Sequence, residues 1–154
     1  MDPKNLWGEL PPLANVRTPV SVLKEQASHL TEMTKGVLVG MVVSVVWKSN
    51  LFAYQLVIRA PALNAYEADI LMIGYDITLY PLRFANLATD GSVMLCDTEE
   101  AFIAQIENVL TSESVRKIVV TLFERAHAAK RLHAEIGNTG GGGGRIASLS
   151  RPSR

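Results

Sequence analysis

The stretch that most limits what this chain can become is "GVLVGMVVSVVW", twelve residues from Gly36 to Trp47 set between Lys35 and Lys48. A helix that crosses a bilayer needs about 20 apolar residues, so this run is too short to span one. It is rich in β-branched side chains and interrupted by Gly40, which favours strand over helix. A second apolar run, "LFAYQLVIRA", follows across Ser49-Asn50. The two runs predict antiparallel strands over about 37–48 and 51–60.

Their register can be argued from the faces. A two-residue loop at Ser49-Asn50 sets Trp47 against Phe52, Val45 against Tyr54, Val43 against Leu56 and Met41 against Ile58, with Ser44 opposite Gln55. A three-residue loop would place Val43 against Gln55 and Ser44 against Tyr54, mixing polar and apolar faces. One slip inverts every side chain, so the two-residue loop is preferred. Asn50 tolerates the positive φ of such a turn. In that register the opposite face still carries Leu38, Val42, Val46, Ala53 and Val57, too apolar for a surface left to water. These five residues are the expected interface, covered either by the chain itself or by a protein partner.

The remaining elements follow from local signals. Thr18-Pro19 is a helix start, a capping hydroxyl followed by a proline at the first position. Val20, Leu23, Ala27, Leu30 and Thr34 then recur at helical spacing up to Gly36. "YEADILMIG" and "DITLYPL" read as a third and fourth strand joined tightly around Gly74-Tyr75, and "SVMLC" as a short fifth. Asp97 with Glu100 resembles a capping box opening a helix whose buried stripe is Phe102, Ile103, Ile106, Val109 and Leu110. "TSES" interrupts it before a last helix that ends at Gly137. The expected fold is α+β: an N-terminal helix, an antiparallel four- or five-stranded meander sheet and a C-terminal helical hairpin.

The 154 residues therefore divide into an extended arm over 1–17, a single α+β domain over 18–137, and a flexible, basic, glycine-rich tail over 138–154. Leu6, Trp7 and Leu10 are the residues that would tether the arm. The five consecutive glycines of the tail cannot offset the entropy of ordering them. With no apolar signal segment at the start, a soluble cytoplasmic protein is expected.

Formal charge is zero, but unevenly spread. Residues 61–112 hold eight acids against one cation, Arg83, a balance of −7, and residues 113–154 hold eight cations against three acids, a balance of +5. Such polarity orients a partner or a second copy, or is neutralised within the fold. On the last helix Arg116, Lys117, Arg125, Lys130 and Arg131 form the expected anion-binding or nucleic-acid-binding surface, although Glu113, Glu124 and Glu135 interrupt it.

Catalytic patterns are thin. Ser21 and Lys24 have the S-x-x-K spacing used by serine acyl-transferring enzymes, but the S-D-N and K-T-G strings that accompany it there do not occur in the chain. The spacing recurs at Ser114 and Lys117, and both matches lie at helix starts, where serines cap. Glu67 and Asp69 alternate on the third strand with Arg59 across from them, and Asp76 follows the next turn. These three carboxylates form the acidic cluster to inspect. His127 and His133 are six apart and do not stack on one helical face, while His29 lies on a polar flank. Cys96, the one cysteine, reads as a small buried hydrophobe. The glycine run lacks the context of a phosphate-binding loop. No catalytic residue, metal site or cofactor is expected. The favoured function is a non-enzymatic protein-interaction or self-associating module. The alternatives are an anion or nucleic-acid binder using the last helix and tail, and an enzyme or small-ligand binder whose site leaves no motif.

Overall fold

The computed structural model describes residues 3–9, 17–47 and 52–138. A helix, α1 (Pro19–Met33), leads into five strands, β1 (Val39–Ser44), β2 (Phe52–Ala60), β3 (Tyr66–Tyr75), β4 (Leu82–Asn86) and β5 (Val93–Cys96). Two helices close the domain, α2 (Glu99–Leu110) and α3 (Glu113–Asn138). The strands form one antiparallel meander in the order β1-β2-β3-β4-β5. All three helices contribute to a single core over one face of that sheet. Leu23 and Ala27 of α1, Phe102, Ile106 and Val109 of α2, and Val115, Leu122 and Ala126 of α3 belong to it. The sheet's share includes Leu56, Ile58, Ile70, Leu71, Ile73 and Phe84. An α+β fold of this composition is what the order of sequence signals predicts.

Local chemistry explains the helix boundaries. The Thr18 hydroxyl accepts from the Ser21 N–H at 3.3 Å, with Pro19 in the first turn. Lys35 and Gly36 take positive φ just past the end of α1. The cap of α2 is Thr98, accepting from the Ala101 N–H at 3.1 Å, and not Asp97 as the capping-box pattern suggests. Its Glu99 and Glu100 then place negative charge at the positive end of the helix dipole. Arg17 reaches Glu25 at 2.7 Å and Glu99 at 3.4 Å, linking the starts of α1 and α2. α2 packs on β4 and β5, with Phe102 edge-on to Phe84 at 6.3 Å between centroids, whereas α3 lies over β2 and the short 3-10 turn Pro61–Leu63.

The pairing of β1 with β2 differs from the one argued from apolar matching. Val43 faces Gln55, Ser44 faces Tyr54, Val42 faces Leu56, Met41 faces Val57 and Gly40 faces Ile58. This is the register of the longer loop, one residue away from the preferred one, and the loop residues 48–51 themselves lie outside the described residues. The physical reason is clearance. A Cβ built on Gly40 would sit 2.4 Å from the Ala27 carbonyl oxygen and 2.6 Å from the Ala27 Cα. Only a glycine allows α1 to approach the strand backbone this closely. A one-residue slip would turn Gly40 away from the helix and bring Val39 or Met41 beneath it, where no side chain fits.

Two threonines hold the contact. The Thr31 hydroxyl accepts from the Gly40 N–H at 2.9 Å, and the Thr34 hydroxyl accepts from the Leu38 N–H at 3.1 Å. They occupy main-chain donors that an edge strand would otherwise leave free.

Other expectations need correction. The fourth strand is Leu82–Asn86, not "DITLYPL", because Asp76 folds the chain into a turn: its side chain accepts from the Thr78 N–H at 3.0 Å. Leu79 has positive φ and the Tyr80–Pro81 bond is cis. β1 stops at Ser44, so Val46 is 95% exposed rather than part of a strand face. Leu6 and Trp7 stand more than four-fifths exposed and tether nothing among the described residues, while Leu10 and the tail from 139 lie outside them.

We predict that Gly40→Ala destabilises the domain by about 2–3 kcal/mol or more, since the nearest atoms are main chain and cannot swing aside. Thermal unfolding should show a midpoint lowered by roughly 5–10 °C. An unchanged midpoint would mean that α1 does not sit where described.

Candidate functional site

Antiparallel partners share a face, so the register assigns each side chain to one side of the sheet. The helix side holds Leu56, Ile58, Leu71, Ile73 and Phe84. The other side presents, across the five strands, Val39, Met41 and Val43, then Ala53, Gln55, Val57 and Arg59, then Glu67, Asp69 and Met72, then Arg83 and Ala85, and finally Val93 and Leu95. None of these apolar residues belongs to the core cluster that contains the helices. No described helix packs on this side.

A bulge in β3 makes the two sides continuous. Leu56 pairs with Leu71, but Val57 pairs with Asp69, so Ile70 has no partner on β2. Ile70 and Leu71 both turn into the core, and alternation resumes in the opposite parity beyond them. Without that extra residue the apolar pattern of β3 would change sides halfway along. The Ile70 carbonyl instead accepts from the Leu87 and Ala88 N–H groups at 3.0 and 3.1 Å.

The outer side is unusually apolar for a surface. Ala53, Val57 and Ala85 are at most 4% exposed. Val93 and Leu95 are 56% and 59% exposed on the edge strand β5. The charged members collect at two ends, with Gln55 in the row between them. Arg59 and Glu67 pair at 2.7 Å as the cross-strand reading expected, and exposed Asp69 lies beside them on β3. Arg83 sits towards the opposite end. Neither Asp69 nor Arg83 has an ion-pair partner among the described residues.

This layout splits the five residues expected at an interface. Ala53 and Val57 lie on the outer face. Leu38 is in the core and Val42 packs against it, because the register moved them to the helix side. Their places are taken by Val39 and by Met41 and Val43, the last two of which the sequence argument had matched to Ile58 and Leu56 on the inner face, and Val46 lies beyond the strand.

The acidic cluster is not assembled. Glu67 and Asp69 lie near the start of β3, and Asp76 follows its end, seven residues beyond Asp69 or about 23 Å of extended chain. Asp76 serves its own turn, and the hydroxyl and N–H of Thr78 hold its carboxyl below the usual range. Among the described residues no group of three or more His, Cys, Asp and Glu side chains is placed to hold a metal ion. The Ser21 hydroxyl donates to the Thr18 carbonyl at 2.7 Å, completing a helix start rather than facing Lys24. Burial first, then Asp97, pushes the Cys96 thiol up, away from the reactive thiolate form.

The five cations of α3 are all exposed. At 3.6 residues per turn they spread over roughly 220° of the helix circumference, and Glu113 and Glu124 fall inside that arc. They do not converge on a single stripe. His127 stacks on Phe123 at 5.7 Å between centroids. A groove of about 370 Å³ runs between α1 and α3, with Ile58 and Ile70 in its floor and exposed His29, Thr111 and Arg116 along it. It is mostly apolar and gathers no cluster of titratable groups.

One buried polar atom was not legible in the sequence. The Tyr80 hydroxyl has no hydrogen-bond partner among the described residues. Burial, then the charge of Glu99 and the Cys96 thiol, push its pKa up to about 12, against a smaller opposing pull from Arg17.

Comparison with protein-family models, with curated proteins and with solved structures finds no match. No helix among the described residues is long and apolar enough to cross a membrane.

Two outcomes are expected. Tyr80 holds its proton more tightly in the folded chain than in the unfolded one, where tyrosine titrates near ~10. That contribution to stability is complete below this value and is lost as pH rises through about 12. Tyrosinate absorbance should therefore show a late-titrating group that Tyr80→Phe removes. The same variant, freed of an unpaired hydroxyl, should be as stable as the native chain or on the order of 1 kcal/mol more so. For α3, Lys130→Glu combined with Arg131→Glu should leave DNA and RNA binding weak at physiological salt, as in the native chain. Tight binding that falls steeply with salt and is lost in this variant would establish a nucleic-acid surface instead.

Proposed function

We propose that this protein is a non-enzymatic interaction module that works by burying the outer face of its sheet against another protein surface. One observation carries the reading: three helices share one side of a five-stranded sheet, and nine of the fourteen side chains named on the side they leave are apolar. An antiparallel sheet with one face in water ordinarily alternates apolar and polar residues. Here the outward positions of β1 are Val39, Met41 and Val43, and those of β5 are Val93 and Leu95. An apolar surface of this continuity marks a contact site. The chemistry-bearing patterns support the same reading from the other side, since the S-x-x-K serine spends its hydroxyl on the Thr18 carbonyl in the first turn of α1 and the three carboxylates lie apart.

The test is whether the face tolerates charge without loss of the fold. Val43→Lys and Leu95→Lys lie on opposite edge strands. In dilute solution each should keep a thermal midpoint within a few degrees of the native chain, while its solubility limit rises. If both variants unfold, the face is internal core covered by the chain's own segments, and the reading fails.

A further inference from the structure

We infer that the partner on this face is a second copy of the chain, packed sheet to sheet about a twofold axis that lies in the interface at right angles to the strands. The inference rests on the interaction reading above and adds the occupant and its orientation.

Size permits it. Five strands at ~4.8 Å spacing and about six residues at ~3.3 Å each give a footprint near 24 Å by 20 Å. In flat projection that is already more than half of the ~800 Å² of accessible surface each partner buries in a standard interface. Relief of the side chains adds to it. The charged residues lie at the two ends of the face, and the row between them is Val43, Gln55, Met72, Ala85 and Val93, apolar but for the uncharged Gln55.

Charge selects the axis. Asp69 is five residues before Gly74 on β3, and Gly74 is opposite Arg83 on β4. The Ile70 bulge adds no length, and the facing stretch of β2 runs four residues from Val57 to Ala53, so these two charges, without ion-pair partners among the described residues, are about 13 Å apart along the strands and one strand apart across them. In an isologous contact, whatever residue i meets on the partner, the partner's copy of i meets in return. A twofold axis across the strands near Met72 reverses the strand direction while keeping β3 over β3. It brings Asp69 of each copy to the level of Arg83 of the other, within reach of the long arginine side chain. Two reciprocal ion pairs then close the two ends of the interface. An axis along the strands would instead set Asp69 against Asp69. The Arg59–Glu67 pair, already neutralised within each copy, stays at the rim under either choice. Complementary charge of this kind fixes orientation more than affinity.

Mass in solution, measured by sedimentation over a range of concentrations, tests the proposal with four variants. The native chain should be a dimer, and Val43→Lys should be a folded monomer. Asp69→Arg alone and Arg83→Glu alone each place like charges across the interface and should weaken association at least tenfold. The double variant Asp69→Arg with Arg83→Glu restores opposite charges and should return to within about threefold of the native affinity. A native monomer with folded lysine variants would sink the second copy as occupant and leave the face to a different protein. A dimer that ignores Val43→Lys would place the contact elsewhere, such as the edge of β5, and overturn the proposal. A dimer lost in Val43→Lys but not rescued by the charge swap would reject the crosswise axis.

Discussion

The rest of the molecule depends on how closely α1 lies against β1. With Gly40 under the main chain of Ala27, the helix axis comes nearer to the strand than side-chain packing allows. Thr31 and Thr34 then trade hydroxyl hydrogen bonds with the strand's N–H groups at Gly40 and Leu38. That one contact decides which side of β1 faces inward. Through the register it also decides the side for β2, and through the Ile70 bulge for β3. α2 and α3 follow because the core they complete is already defined on that side.

The cost of the arrangement falls on the other side of the sheet. Val39, Met41 and Val43 alternate with Leu38, Gly40 and Val42, so an apolar run of this composition has no polar parity to show to water. Whichever register formed, one apolar set would face outward. The glycine determines which set it is. The outer face is therefore a by-product of the same run that makes the strand strong, and covering it is a problem the three helices do not solve.

Much of the fold was legible because its signals are local. Thr18-Pro19, the strand run around Gly40, the alternating Arg59–Glu67 pair and the apolar stripe of α2 each depend on residues close in sequence or directly paired. The register of β1 was not legible, because apolar matching across two strands competes with a clearance requirement imposed by Ala27 in a different element. Gly40 itself was the available signal: an isolated glycine within a strand pattern marks close approach of another backbone. The fourth strand was misplaced because Ile77 and Leu79 alternate as a strand would, while Asp76 and Thr78 supply a turn. For the candidate site, Ala53 and Val57 were found from sequence, and the β1 side of the face was inverted with the register. The isolated charges Asp69 and Arg83 could not be matched before strand order was known.

The hydroxyls of Thr31 and Thr34 have one more effect. They occupy the free margin of β1 at Leu38 and Gly40, whereas β5, with Val93, Met94 and Leu95 all exposed, ends the sheet with nothing comparable. The margin of β1 is thus closed at its first half alone, since the outward N–H groups of Val42 and Ser44 have no such cap among the described residues, while that of β5 is open along its length. A strand added to this sheet from outside finds full pairing at β5 and only the far half of β1, so the two margins are unequal as docking edges.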